Sequence, residues 1–285
     1  MKTGLFTDMH QGEYRAIPAL ANSDAVMIEK NPADYIWSRN APTNFAKVMA
    51  KDIGTALHAL LLEPETYEDL IHVSSIKGRQ TKTFEQEIID NPDKIALTQE
   101  EAEQVQIMAG SVAAHPSASY WLGMEGNTES SIIINDAETG APLKCRPDKD
   151  IFQKTGYLID VKKTADLEKW RSTQEWINPL HALNYGHNAS FYTDIAEQFY
   201  QREALGYIFI CIQSTVALGK YPVGVFILTK EQMIEQGFWA RHRVNIETYK
   251  NCVETNNWIH SEGFDFPPKE FGYDDDVEVT FEGDE

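Results

Sequence analysis

The chain has 285 residues, 42% of them hydrophobic and 24% charged, a globular composition long enough to bury a sizeable core. No run approaches the eighteen or so apolar residues of a membrane span, and residues 1–15 are too polar for a secretory signal, so a soluble, cytoplasmic protein is expected. The net charge of −19 counts against a nucleic-acid partner unless a local basic lining or bound divalent ions offset it.

From the N-terminus, Asn22-Ser23-Asp24 is a helix-start signal and Asn31-Pro32 a break. Residues 51–63 carry Ala56, Leu57, Ala59, Leu60, Leu61 and Leu62, apolar nearly all round, which predicts a buried helix ended by Pro64. Residues 73–92 read as a polar connector. Thr98-Gln99-Glu100-Glu101 opens a helix that runs to His115-Pro116. The period then changes. Residues 131–134 and 142–148 form two strands around a turn at 135–140, and 157–163 form a third strand after Lys154-Thr155-Gly156. A long helix is expected from Pro179, strands at 206–216 and 223–228, and a final helix over 231–256. This order predicts an α/β fold, a mixed central sheet flanked by helices. Residues 1–262 are expected to form one domain with an N-terminal helical elaboration, and 263–285 a loosely ordered acidic tail. From Asp274 onward that tail has seven acidic residues and no basic one, and the rest of the chain still sums to −12. Cys145, Cys211 and Cys252 are far apart and odd in number, which suggests reduced thiols rather than a zinc knuckle or disulfides.

The chemistry concentrates in Cys145-Arg146-Pro147-Asp148 and Leu158-Ile159-Asp160-Val161-Lys162. Strand alternation puts Asp160 and Lys162 on one face with Leu158, and Tyr157, Ile159 and Val161 on the other. A carboxylate and a lysine on a half-buried face need partners. Asp148 reaches the same place if its strand pairs antiparallel with the next. Two carboxylates suit Mg²⁺, which keeps water and phosphate oxygens in its shell, and an adjacent lysine can orient or deprotonate the attacking water. A bare Asp-x-Lys triplet also fits a surface ion pair, so the spacing of Asp148 carries much of the weight.

Pro147-Asp148 followed by Asp160-Val161-Lys162 resembles the PD-(D/E)xK nuclease motif, and the expected fold is then restriction-endonuclease-like. Gly54-Thr55-Ala56-Leu57-His58 resembles the Gly-xxx-His helix of the RecB-like branch, which implies His58 as a metal ligand. Asn188-xxx-Tyr192 stands where that branch has Gln-xxx-Tyr, with Asn in place of Gln, and implies contacts to substrate. Glu129 falls where the superfamily often carries a further acid near the metal. Through Asn31-Pro32-Ala33-Asp34-Tyr35, the 54–64 run and residues 144–164, the chain is more narrowly similar to the nuclease domain of the RecE (exodeoxyribonuclease VIII) type. That resemblance implies a Mg²⁺-dependent 5′→3′ exonuclease on duplex DNA ends, with Mn²⁺ as a possible substitute. It also implies a ring-shaped homotetramer and a partner protein that anneals the single strand left behind.

On this reading His58, Asp148, Asp160 and the Val161 carbonyl hold the metal, Lys162 positions water, and Glu129 assists. Arg79, in a basic loop with Lys77 and Lys82, and Lys163, followed by Lys169 and Arg171, are candidate phosphate contacts. Trp121, Trp170 and Trp176 are candidates to stack on a strand end. The competing functions are a DNA-binding scaffold that keeps the fold without cutting, and a small-molecule hydrolase, which would need a closed pocket.

Overall fold

In the computed structural model, which describes residues 2–40, 52–217 and 219–258, the strand bearing Asp160 and Lys162 lies at the centre of the main sheet. Strands follow in chain order as β1 (Gly4–Phe6), β2 (Ile71–Val73), β3 (Ile95–Leu97), β4 (Asn127–Thr128), β5 (Ser131–Asn135), β6 (Pro142–Cys145), β7 (Lys149–Asp150), β8 (Tyr157–Thr164), β9 (Gly206–Gln213) and β10 (Val223–Thr229). Five of them form a mixed sheet in the order β10-β9-β8-β7-β4, in which β8 and β9 are parallel and the other neighbours antiparallel. A second sheet has the order β1-β5-β6, and β2 and β3 form a parallel pair.

Helices cover both faces of the five-stranded sheet, which explains why seven successive residues of β9 are buried. The alternation of β8 divides its side chains as expected. Leu158 joins the core built with helices Asn22–Lys30, Tyr185–Tyr200 and Phe238–Thr255, while Ile159 and Val161 join the core under helices Asp52–Leu62 and Gln99–Ala114. The Asp52–Leu62 helix buries Ala56, Leu57, Ala59 and Leu62. The Gln99–Ala114 helix has the expected N-terminal box, the Thr98 hydroxyl accepting from Glu101 N–H and the Glu101 carboxylate from Thr98 N–H.

Four expectations are corrected. Residues 142–148 are not one strand of a three-strand meander. They split into β6, which pairs with β5 in one sheet, and β7, which pairs with β8 in the other, because Pro147 has no N–H with which to continue a ladder. The 73–92 connector contains a helix, Lys82–Asp90, capped by the Thr81 hydroxyl. Only Phe84 of that helix is fully buried, with Ile88 half-buried four residues on, a short apolar stripe within a polar stretch. The helix expected from Pro179 is two, Pro179–Ala182 and Tyr185–Tyr200, parted at Asn184 with φ of 58°. The last helix likewise divides into Lys230–Glu235 and Phe238–Thr255 at Gly237, whose φ of 77° suits a residue without a side chain. The acidic tail lies outside the described residues. Among those described, no helix is long and apolar enough to cross a membrane.

Candidate active site

The site forms where the chain forks between the two sheets. β4 and β7 pair within the large sheet, and their continuations β5 and β6 pair within the small one. Both crossings occur side by side, at residues 129–130 and 146–148. Glu129 N–H donates to the Asp148 carbonyl at 3.1 Å, holding the two crossings together. Glu129 has a φ of 46°, a left-handed conformation that a non-glycine residue rarely adopts and that turns the chain between sheets. Asp148 then points across to β8, where its Oδ2 accepts from Val161 N–H at 2.6 Å. A strand residue sends its N–H and C=O to the same side, so the Val161 carbonyl faces this fork as well.

Helix Asp52–Leu62 adds His58, whose Nδ1 lies 3.6 Å from Asp148 Oδ2. Ligand atoms of His58, Glu129 and Asp148 all fall within 4.8 Å of one another. Asp160, 4% exposed, meets the Lys162 ammonium in an ion pair through its Oδ2. Burial, then the neighbouring Asp148 and Glu63 charges, push the Glu129 carboxyl up to about 8. Burial also lifts Asp160, which Lys162 pulls back and Asp148 raises again, to about 6. For Lys162, burial works against the charge but Asp160 and Asp148 outweigh it, holding the ammonium protonated above its ordinary range. Crowded carboxylates with few protein donors and a histidine within reach are a donor set that suits a hard divalent cation.

Residues 23–265 match the family described as "PDDEXK-like domain of unknown function (DUF3799)". The chain belongs to this family. Its fold is also similar to the crystal structure of a "Putative exonuclease" from Eubacterium rectale, at 12% identity and a TM-score of 0.56, with 89% of this chain and 95% of that one covered. No protein of curated function matches the sequence. The mixed sheet with flanking helices is therefore that of the PDDEXK nucleases, a superfamily that depends on divalent metal, and the His58–Glu129–Asp148 group supplies a possible metal cluster.

In this PDDEXK-like chain the cluster lies in an open cleft of about 1210 Å³. His58, Glu129, Asp148, Lys162, Lys163 and Tyr192 all line it, so the fold brings together six of the residues singled out from sequence. Asp160 sits beneath them, bound to Lys162. Asn188 is half-buried and outside the lining, its side chain one methylene shorter than the glutamine it replaces. Arg79 is not a free phosphate contact. Its guanidinium donates to Asp52 at 2.8 Å and Glu101 at 2.7 Å, bracing the helix that carries His58 against Gln99–Ala114. Lys77 and Lys82 are exposed outside the cleft. Trp170 is a core residue, stacked on Tyr185 and Phe226, and Trp121 is half-buried against Tyr157. Trp176 alone of the three is largely exposed. Sequence reasoning missed the other wall of the cleft, where residues 7–15 and Arg146 stand. Their contacts span more than 100 positions, so no local pattern announces them.

Proposed function

We propose that this protein is a Mg²⁺-dependent exonuclease that degrades linear double-stranded DNA from its ends and leaves single-stranded overhangs for recombination, with Mn²⁺ able to substitute. The observation that carries the reading is the convergence of Asp148, Asp160 and protonated Lys162 with Glu129 and His58 on the floor of an open cleft. An open cleft suits a polymer better than a small molecule. The exonuclease description of the structural relative supports the same class.

His58, Glu129, Asp148, Asp160 and the Val161 carbonyl would hold the ion. When bound, it polarises the phosphodiester and makes water a better nucleophile. Asp148 is itself oriented by Val161 N–H, which leaves its other oxygen for the ion. Lys162, already charged, donates a hydrogen bond that orients the attacking water and offsets the negative charge gathering on the phosphoryl oxygens. Its ion pair with Asp160 fixes the ammonium beside the metal ligands, where Lys162 acts as a positioning cation. Tyr192, kept protonated chiefly by burial, offers a hydroxyl to the substrate from the cleft wall, and Lys163 a phosphate contact. The similarity to RecE-type exonucleases extends the proposal to 5′→3′ polarity, a ring tetramer and a single-strand-annealing partner.

Digestion of linear and closed circular duplex DNA with Mg²⁺, beside an Asp160→Ala control, tests the reading. Loss of the linear form alone, abolished in the variant, is expected. Cutting of the circle would make the protein an endonuclease, and no cutting of either would point to a non-cutting DNA-binding scaffold.

A further inference from the structure

The wall formed by residues 7–15 is held by two cations, Lys144 and Arg146. Lys144, 3% exposed, donates from its ammonium to the carbonyls of Tyr14 (2.9 Å), Arg15 (3.3 Å) and Ile17 (2.8 Å), at the C-terminal end of helix Gln11–Ala16. Three donors meet three acceptors. Two residues on, Arg146 donates to the Gln11 side chain at 2.6 Å and the Met9 carbonyl at 2.5 Å, while its Nε holds Ser131. Both cations also lie within 4.9 Å of the Tyr14 ring centroid. Burying a lysine is unfavourable, and an apolar contact would cover the sheet at lower cost. What the ionic clamp adds is a single position for the segment relative to the fork.

That position matters because of which charges remain free. Within the cleft, Lys162 is bound to Asp160, and three of the five N–H donors of Arg146 are engaged as above. Arg15 and Lys163 are exposed, line the cleft and have no ion pair among the described residues. The lining supplied by residues 63–93 is acidic, through Glu63, Asp69 and Asp93. The facing lining carries Asp8 but also Arg15 and Arg146, a net positive charge, so a polyanion entering this cleft is repelled from the first lining and drawn towards the second. We propose that the 7–15 segment is a pre-positioned DNA-binding wall and that Arg15 is its phosphate contact, completing a backbone track with Lys163. The inference rests on the nuclease reading above.

The test uses the full chain with Asp160→Asn, so that DNA is bound in Mg²⁺ but not cut. Binding of a fluorescent linear duplex is measured from 50 to 200 mM salt, with and without Arg15→Ala and Arg15→Lys. Each phosphate contact contributes about 0.9 to the slope of log K against log salt. Arg15→Ala is expected to lower that slope by about 0.9 and to weaken binding at least about threefold at 50 mM salt. Arg15→Lys should restore the slope. Arg15 is exposed, so neither change threatens the fold. An unchanged slope in Arg15→Ala, from a protein whose unmodified form cuts linear DNA, overturns the inference and leaves the nuclease reading standing. Absence of DNA binding by every form overturns both.

Discussion

Residues 192 and 194 project about 200° apart on helix Tyr185–Tyr200, and each side of that helix meets a cluster of buried charge. On the Tyr192 side are Glu129, Asp148, Asp160 and Lys162. On the other, Asp194 and Asp136 are bound by Arg243, with Asp194 also held by His242. The residue types are alike and the electrostatics opposite. Asp136 accepts five hydrogen bonds, from Arg243, Gln198 and Thr139. Burial alone would raise it, yet those donors hold its carboxyl well below the usual range, and Asp194 is lowered in the same way by His242, Gln198 and Arg243. In the fork, Lys162 is the one side chain that donates to Asp160 among the described residues, Asp148 accepts from Val161 N–H, and Glu129 is lifted to about 8. Burial is common to both clusters; the supply of donors is not. A carboxylate cluster saturated by protein donors is structural, and one left short of them is prepared for a cation.

The sharpest way to break this comparison is to remove charge from each cluster in turn. Asp160→Asn with Lys162→Met eliminates a buried ion pair whose desolvation offsets much of its attraction. Cutting of linear DNA should fall on the order of 10³-fold or more, while the thermal midpoint stays level or rises. If stability collapsed along with activity, the fork would be a structural cluster after all. Arg243→Met should do the reverse. It leaves three carboxylates without their guanidinium, at a loss of about 3 kcal/mol, or roughly 6–12 °C in the midpoint. Activity per folded molecule at low temperature should be unchanged, since Arg243 does not line the cleft. Thermal melts paired with nuclease assays decide both.

A smaller effect isolates Glu129. A carboxyl whose folded pKa lies above its unfolded value, about 4.3, binds its proton more tightly in the folded protein. Metal-free stability should therefore decline as pH rises from about 4.3 through about 8. Glu129→Gln should flatten that decline and raise the metal-free midpoint at pH 8 by about 2 °C or more, and should weaken the stabilisation that Mg²⁺ gives the unmodified protein. A pH dependence of the metal-free midpoint between 5 and 8 that is the same in Glu129→Gln as in the unmodified protein would contradict the crowding of charge at the fork.

How far the sequence discloses these clusters depends on how local their contacts are. Asp160 and Lys162 are legible because strand alternation places them on one face by spacing alone, and Asp148 because it stands twelve residues before Asp160 across a turn at 154–156. His58 is legible through a four-residue helical spacing from Gly54, which also lines the cleft. The Asp136–Asp194–Arg243 cluster is not, since its members come from a turn and two helices as many as 107 positions apart. The Lys144 and Arg146 contacts to residues 9–17 are longer still. The helix Lys82–Asp90 is legible but easily passed over: Phe84 and Ile88 stand four apart on one face behind the Thr81 cap, a short stripe within an otherwise polar stretch.

Arg79 sits between the two extremes and gives the finest test. In sequence it stands in a basic loop with Lys77 and Lys82 and reads as a free cation, because its partners Asp52 and Glu101 lie 27 and 22 positions away. In the structure both are satisfied by it, and the three groups are less than a quarter exposed. Burial raises Asp52 despite the guanidinium, whereas Glu101 is lowered because Arg79 and Thr98 overcome its burial. This cluster is thus saturated like that of Arg243, but partly open to water, which weakens each ion pair. Arg79→Met should lower stability by about 1 kcal/mol, and the salt slope of DNA binding should not move. A fall in that slope by about 0.9 would return Arg79 to the phosphate track and show that its carboxylate partners release it when DNA arrives.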